Sequence, residues 1–438
     1  QLQMDGARDT HVLEDQQGRM TMVHERHLVP LKPLPFAEFP CPACGASDIT
    51  LGASVWPGVH VMQQRTCNSC GHRYLQDLPV GFAVDDPMAI GLSDGRLHNP
   101  RNGASWIHDP LIRSFKAQQD KEVKVERIVH KACDRVIILN TLDFLYGHVL
   151  LKLYNAQHYI DKHPDLGLVI ILPRMFQWLI PDGVAEVWLV DQRLGEAHGW
   201  YNAIDRFVQE QLPRYAEVYV GKGYAHPEFA DMDITRFTKV RPFALEHYFT
   251  APKHITFIAR QDRLWFATPA AKFGYRALNK LGLKKSLGRW YIHAQDRLIK
   301  RSMARISAAI PGVTYSVVGL GEAGGFGPEV KDLRTMNMDK ATELAWCESY
   351  ALSQIVVGVH GSNMLLPTAH AAGCIEVLPY DRYGNIVQDV SVRYHDRMQL
   401  FLYRFVDEFA SPRTIARHAI SMFTDYAVYH RDNRENIF

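Results

Sequence analysis

The chain has no run of eighteen apolar residues; its longest, such as Leu168-Val-Ile-Ile-Leu172, are strand-sized, so no transmembrane helix is expected. Strong charge of either sign is also missing. The balance of 49 Lys and Arg against 47 Asp and Glu leaves a formal +2, which does not point to nucleic acid, although 21 histidines would make the charge rise quickly in acid. Residues 1–6 lack a basic start followed by an apolar core, so no secretory leader is visible. At 438 residues with 47% hydrophobic and 22% charged side chains, the composition is that of a globular chain long enough for two or three domains.

Cysteine is sparse and unevenly placed, and three of the seven form an odd set that does not read as a disulfide framework. Cys133, Cys347 and Cys374 stand singly in apolar or helical contexts and read as small buried hydrophobes. The other four form two knuckles, Cys41-Pro-Ala-Cys44-Gly and Cys67-Asn-Ser-Cys70-Gly, separated by 22 residues. That spacing lets four thiolates surround one tetrahedral zinc, and the alternation of Val55, Val59, Val61 and Gln63 between them suits a hairpin joining the knuckles. We read 36–80 as a zinc ribbon, with two structural disulfides as the alternative that paired Cys-x-x-Cys spacings disfavour. Four cysteine ligands leave no open position, so the zinc is expected to be structural. Thiolate zinc with few other cysteines fits a reducing, cytoplasmic compartment.

Residues 81–120, rich in Gly, Pro, Asp and Asn, read as irregular connection. Beyond them strands and helices alternate. Strands are expected at 136–139, 168–172, 187–190 and 217–220, with helices at 144–162 and 200–211 between them. A second series has strands at 255–259, 313–318, 355–359 and 375–378 and helices at 296–309 and 339–353, and 411–428 is helical. The expected fold class is α/β with two Rossmann-like halves preceded by the small ribbon. The expected division is an N-terminal extension 1–35, the ribbon 36–80, a first Rossmann-like domain with its leading connection 81–250, a second at 251–410 and a C-terminal helix 411–438.

The most informative stretch is Ile355-Val-Val-Gly-Val-His360-Gly361-Ser362-Asn363-Met-Leu-Leu-Pro, followed by Ala371-Ala-Gly-Cys-Ile-Glu376-Val-Leu-Pro379. It reads as a buried strand, a loop opening a helix, and a second strand. At the carboxyl end of a parallel strand such a loop is suited to an anionic ligand. These residues resemble glycosyltransferase family sixty-one, whose signature is an apolar strand, His-Gly-Ala-Gly-Leu-Thr-Asn, a small-residue turn and a strand carrying Glu before Pro. His360, Gly361, Glu376 and Pro379 match, whereas Ser362, Asn363 and Met364 depart from Ala-Gly-Leu. Ile255-Thr-Phe-Ile-Ala-Arg260-Gln-Asp-Arg263 and Leu142-Asp143-Phe-Leu-Tyr-Gly-His148 resemble two further family segments in the same order. The resemblance covers roughly 135–400.

The resemblance implies a GT-B arrangement of the two halves and an inverting transfer from a nucleotide sugar, most simply a uridine diphosphate sugar, to a glycan, without a catalytic divalent ion. Arg260 and Arg263, beyond a strand's carboxyl end, are the candidate diphosphate clamp. Their plain alternative is a surface ion pair. His360, Gly361, Ser362 and Asn363 are the candidate phosphate loop, and Glu376 at a strand end is a candidate for the ribose hydroxyls; a structural histidine and a capping glutamate are the alternatives. The base that takes the acceptor proton is His148, Asp143 or Asp191, with helix capping the alternative for either aspartate. The glycine cluster at 319–327 is a candidate mobile loop.

Residues 272–301 hold Lys272, Arg276, Lys280, Lys284, Lys285, Arg289, Arg297, Lys300 and Arg301 against one acid, Asp296, interleaved with aromatic and aliphatic side chains. Such a stretch suits an anionic membrane surface or glycan; the plainer reading is a solvated helix with its apolar face in the core. The competing reading for the whole chain is a non-catalytic carbohydrate-binding or assembly module on a degenerate glycosyltransferase fold, which the departure at Asn363 would favour.

Overall fold

The computed structural model describes residues 10–14, 20–24, 27–83, 88–99, 105–224, 229–395 and 397–435. The turn-rich Asp85-Asp86-Pro87 and Pro100-Arg101-Asn102-Gly103 lie outside the described residues, as do the side chains of Lys284 and Lys285. The chain forms two compact units, Gln1–Pro227 and Glu228–Phe438. The sequence division at 250/251 thus falls later than the structural one. The reason is visible in the segment between: Thr238 bonds the His370 ring at 2.9 Å and the Phe243 amide donates to the His370 carbonyl at 2.7 Å, tying 229–250 to the second unit.

The first unit opens with a hairpin of β1 (Thr10–Glu14) and β2 (Met20–His24), then β3 (Leu28–Lys32). The cysteine region is a five-stranded antiparallel meander: β4 (Ile49–Val55), β5 (Met62–Cys67), β6 (Arg73–Asp77), β7 (Ala89–Gly91) and β8 (Leu97–His98). It therefore extends past residue 80. Helix α1 (Ser105–Lys116) follows, with Pro110 inside it. The irregular reading of 81–120 is corrected here, because the proline and the flanking turn residues mask two short strands and a helix.

The main sheet of this unit comprises β9 (Val125–Val129), β10 (Arg135–Asn140), β11 (Gly167–Pro173), β12 (Glu186–Val190) and β13 (Glu217–Gly221), joined by β3, in the order β3-β13-β10-β11-β12-β9. The inner four are parallel and the two edges antiparallel. β11 and β12 bury every residue, as strands covered on both faces should, and the one charged side chain among them, Glu186 of β12, is paired with Arg127 and Arg214. α2 (Tyr146–Lys162) and α3 (Asn202–Gln211) are among the covering helices. β11 and β12 extend the sheet to one side of β10 and β13 to the other, so the order reverses between β10 and β13. Trp56, Val61, Leu78 and Val80 from the meander share one core cluster with Ile138, Ile171, Trp188 and Ile204, so the ribbon is built into this unit rather than tethered to it.

The second unit contains α4 (Thr235–Thr238), β14 (His254–Ile258), α5 (Pro269–Lys280), α6 (Lys284–Ala309), β15 (Thr314–Val318), β16 (Val330–Asp332), α7 (Lys340–Ala351) and β17 (Ile355–Val359). It continues with α8 (Leu365–His370), β18 (Gly373–Leu378), α9 (Met398–Leu402), β19 (Tyr403–Asp407), α10 (Pro412–Thr424) and α11 (Tyr426–Glu435). Caps start several helices. Thr268, Asp339 and Ser411 side chains accept from the amides three residues on, and Pro269 and Pro412 open their helices where no amide donor is needed. The sheet is parallel throughout, in the order β16-β15-β14-β17-β18-β19, and reverses direction of growth between β14 and β17. α10 packs along α6 within this unit. The fold is α/β, two Rossmann-like units with a four-cysteine sheet in the first.

Candidate functional site

Each cysteine knuckle closes by the same turn: the Gly45 amide donates to the Cys41 carbonyl at 2.8 Å and that of Gly71 to Cys67 at 2.9 Å, with both glycines in the left-handed region. The four sulfurs lie within 4.8 Å of one another, with Cys41–Cys70 at 3.8 Å and Cys44–Cys67 at 3.6 Å. A zinc with bonds of about 2.3 Å to four thiolates needs sulfur separations of about 3.8 Å. The donor set fits a closed tetrahedral zinc.

In open parallel sheets the crevice for ligands lies at the carboxyl ends of the strands where the order reverses. In the first unit that place is the end of β10. Asn140 there donates to the Gly58 carbonyl at 2.8 Å, which brings the ribbon's 56–60 loop over it. Asp143 follows, and its Oδ1 accepts from the Leu145 amide at 3.1 Å, an Asx turn leading into α2. His148 and Lys152, four residues apart on one face of α2, both meet this carboxylate: His148 Nδ1 lies 3.3 Å from Oδ1 and Lys152 Nζ 2.9 Å from Oδ2. Lys152 also donates to the Leu142 carbonyl at 2.9 Å.

Asp143 and Lys152 are fully buried, while His148 keeps 14% of its side chain exposed. Burial pushes the Asp143 carboxyl up, but Lys152 and then His148 outweigh it and hold the group below the usual carboxylate range. The imidazole is surrounded by the rings of Phe82, Trp106, Phe144 and Tyr224 at 5.6–6.3 Å between centroids. The third candidate, Asp191, follows β12, two strands away from β10; it is 60% exposed and 4.0 Å from Arg174 Nε. The structure brings Asp143 and His148 together and leaves Asp191 apart. Lys152 was missed, although a lysine inside Leu150-Leu151-Lys152-Leu153-Tyr154, one turn beyond His148, is a signal for a buried partner. His60 was also passed over; it bonds the buried Asp77 at 2.8 Å from the ribbon side.

In the second unit the reversal lies between β14 and β17, and the motif residues follow those two strands. Arg260 makes a bidentate pair with Asp262 at 2.8 and 2.7 Å. Arg263 donates through Nη1 to the His360 carbonyl at 2.6 Å. This approach depends on Gly361, whose φ is +144°: a Cβ there would stand 1.2 Å from Arg263 Nη1. Burial, and then the like charge of Arg382, hold the Arg263 guanidinium below its usual range, with Arg260 adding to the effect. Asp389 and Asp262 oppose this effect, and Arg382 was not singled out in the sequence because nothing local marks it.

His360 and Glu376 have a different place from the one expected. His360 is fully buried, its Nδ1 bonded to Glu376 Oε2 and its Nε2 3.7 Å from Asp389. Glu376 lies within β18 rather than at its end and is equally buried; burial pushes its carboxyl up, and His360 only partly offsets this. The pair fixes the loop from beneath. Asn363 Nδ2 donates back to the Val359 carbonyl at 3.2 Å, holding the turn, and Ser362 begins a short 3-10 turn before the six-residue α8. In the glycine cluster, Gly319 (φ +121°) passes the Ala259 carbonyl so closely that a Cβ would stand 2.6 Å from it, and the Gly324 amide donates to Asp332. The expectation of catalysis without a divalent ion assumes that no Asp-x-Asp occurs, yet the sequence holds one, Asp231-Met-Asp233. Asp231 meets His395 at 2.9 Å and Asp233 accepts from the Thr235 amide at 2.9 Å, so both carboxylates have structural partners.

No family model matches the chain, and no curated protein matches it. Among solved structures it is similar to the crystal structure of the glycotransferase of kitacinnamycin, at 12% identity over 69% of this chain and 70% of that one, with a TM-score of 0.25. It is also similar to a structure described as trehalose-6-phosphate from E. coli bound with UDP-2-fluoro glucose, at 9% identity over 67% and 66% of the two chains, with a TM-score of 0.24. Likenesses of this size transfer neither arrangement nor activity. Among the described residues no helix is long and apolar enough to cross a membrane.

Proposed function

We propose that the chain is an inverting glycosyltransferase that moves a sugar from a nucleotide-diphosphate donor, a UDP-sugar by the family resemblance, to a glycan. The observation that carries this reading is the Gly361 loop at the reversal point of an all-parallel sheet, with Arg263 held against it and Arg260 at the end of the adjoining strand. Cations at such a place are suited to a diphosphate, whose departure with the bonding electrons is the step that needs stabilising. Arg263 and Arg260 are assigned to the phosphates, and His360 with Glu376 to holding the loop.

In the first unit, His148 is assigned the acceptor proton. Its Nδ1 faces Asp143, leaving Nε2 as the ring atom for the hydroxyl, and an ionised Asp143 steadies the imidazolium that forms. The acceptor oxygen then attacks the anomeric carbon from the face opposite the diphosphate, which inverts the configuration. Lys152 keeps Asp143 ionised. The zinc in this reading is structural and takes no part in transfer. Asp262 favours the second reading, a binding module without turnover, because its bidentate pairing occupies one clamp arginine.

The test is a thermal-shift and calorimetry panel of nucleoside diphosphates, followed by an assay for UDP release from UDP-sugars in the presence of a glycan library. A ligand that binds the native state alone raises the melting temperature with saturation. UDP binding with release that depends on acceptor supports transfer. Binding without release supports the module, and absence of nucleotide binding refutes the transferase.

A further inference from the structure

Residues 263–295 contain seven basic side chains, Arg263, Lys272, Arg276, Lys280, Lys284, Lys285 and Arg289, and no acid. The plain reading of this stretch buries an apolar face in the core. The structure does not. α5 buries none of its side chains, and Phe273 is 75% exposed. Leu283, Leu287 and Trp290, at i, i+4 and i+7 on the start of α6, share one helical face and are 43, 51 and 69% exposed; Leu281 at the turn is 70% exposed. Further along α6, Leu298, Ile299, Met303 and Ile306 are buried, so one helix is packed in its second half while Leu287 and Trp290 stand exposed near its start.

The hairpin nevertheless has a built inner seam. The Tyr275 and Tyr291 rings meet at 5.3 Å, and Gly274 clears the way for the Tyr291 hydroxyl, which a Cβ would approach to 2.6 Å. The outer apolar residues are thus held out by a defined geometry. Among the described side chains, acids from neighbouring elements meet three of these cations: Glu408 pairs with Lys272, Asp381 lies 3.9 Å from Arg276 and Glu322 3.5 Å from Arg289. The last two pairs are more than half exposed and worth little. Asp381 belongs to a segment whose Tyr380, Tyr383 and Val387 are 70–89% exposed, which adds further apolar surface next to α5.

We propose that the α5–α6 tip is a docking surface for an anionic phospholipid bilayer. Lysine and arginine interleaved with bare Trp, Leu and Phe match the two layers of a lipid interface, charge at the headgroups and apolar side chains just below them. A soluble anionic glycan would engage the cations and leave five large apolar side chains wet. The proposal does not depend on glycosyl transfer and is tested without it.

The experiment is vesicle flotation of the full chain with phosphatidylcholine alone and with added phosphatidylglycerol. Binding is expected on the anionic vesicles, at least about tenfold weaker on neutral ones, and weakened on going from about 0.1 M to about 0.5 M salt. Phe273→Ser, Leu287→Ser and Trp290→Ser combined should reduce binding at least about tenfold. All three residues are more than half exposed, so the melting temperature should hold. Lys280→Glu with Arg289→Glu should remove the preference for anionic lipid and serves as the independent arm if the triple variant misfolds. Failure of the native chain to float with anionic vesicles overturns the proposal, as does native-like binding by the well-folded triple variant. Binding to heparin with none to vesicles overturns it in favour of a glycan, and nucleotide affinity, measured separately, is unaffected by either outcome.

Discussion

Replacing Gly361 by alanine tests the donor site at its tightest point. Gly361 has φ +144° and ψ 179°, a region open essentially to glycine alone, so an alanine held there costs about 1–3 kcal/mol of backbone strain. The added methyl would stand 1.2 Å from Arg263 Nη1, so the guanidinium must leave the His360 carbonyl and with it the loop. If Arg263 meets the diphosphate, UDP loses one charge-assisted contact, about 1.5–3 kcal/mol, or roughly 10- to 150-fold in affinity. Titration calorimetry reads that loss, and denaturant unfolding reads the strain. Arg263→Ala alone should weaken UDP to the same degree, and the double variant should be no weaker than either single one, because both remove the same contact. Native UDP affinity in Gly361→Ala would refute the reasoning, and additive losses would show that the glycine acts on the ligand by another route.

Cys67→Ser should release the zinc, loosening the meander while the second unit stays folded; elemental analysis finding no zinc in the native protein would remove the metal assignment. His148→Ala should lower turnover by about 10²–10⁴-fold with UDP affinity near native, since base catalysis acts in the transition state, and full activity would move the base elsewhere. Lys152→Met strands a buried carboxylate and should destabilise the first unit by about 3–5 kcal/mol, with most of it restored by adding Asp143→Asn; a loss under about 1 kcal/mol would deny the ion pair its role. His370 is fully buried, and burial lowers its pKa to about 4. Unfolding raises that value to about 6.5, so its contribution is complete above pH 6.5 and is lost as pH falls through 4, to a total of about 3 kcal/mol. His370→Gln should flatten the denaturation midpoints across that window, and an unchanged slope would assign it to other groups.

What could be read from the sequence is what local chemistry encodes. Apolar runs such as Leu168–Leu172 and Ile355–Val359 specify buried parallel strands because a sheet covered on both faces admits nothing else. The two Cys-x-x-Cys-Gly knuckles specify their own turns, and the glycine at 361 follows from the motif. Where local signals conflict, reading by pattern fails: Pro110 conceals α1, and the turn residues of 81–98 conceal strands that only the rest of the meander makes sense of.

Partnership is a different matter. Strand order places Arg263 beside a loop 97 residues away, and it sets Glu376 against His360 in the interior rather than at a strand end. It also puts the ribbon's Trp56 into the core of the first unit and leaves Phe273 and Trp290 without cover. Residue type and spacing determine which elements form, because backbone conformation and periodic burial act over a few residues. Which side chains meet at a sheet's end, which are sealed and which stay bare depends on non-local packing, and that only the tertiary structure decided.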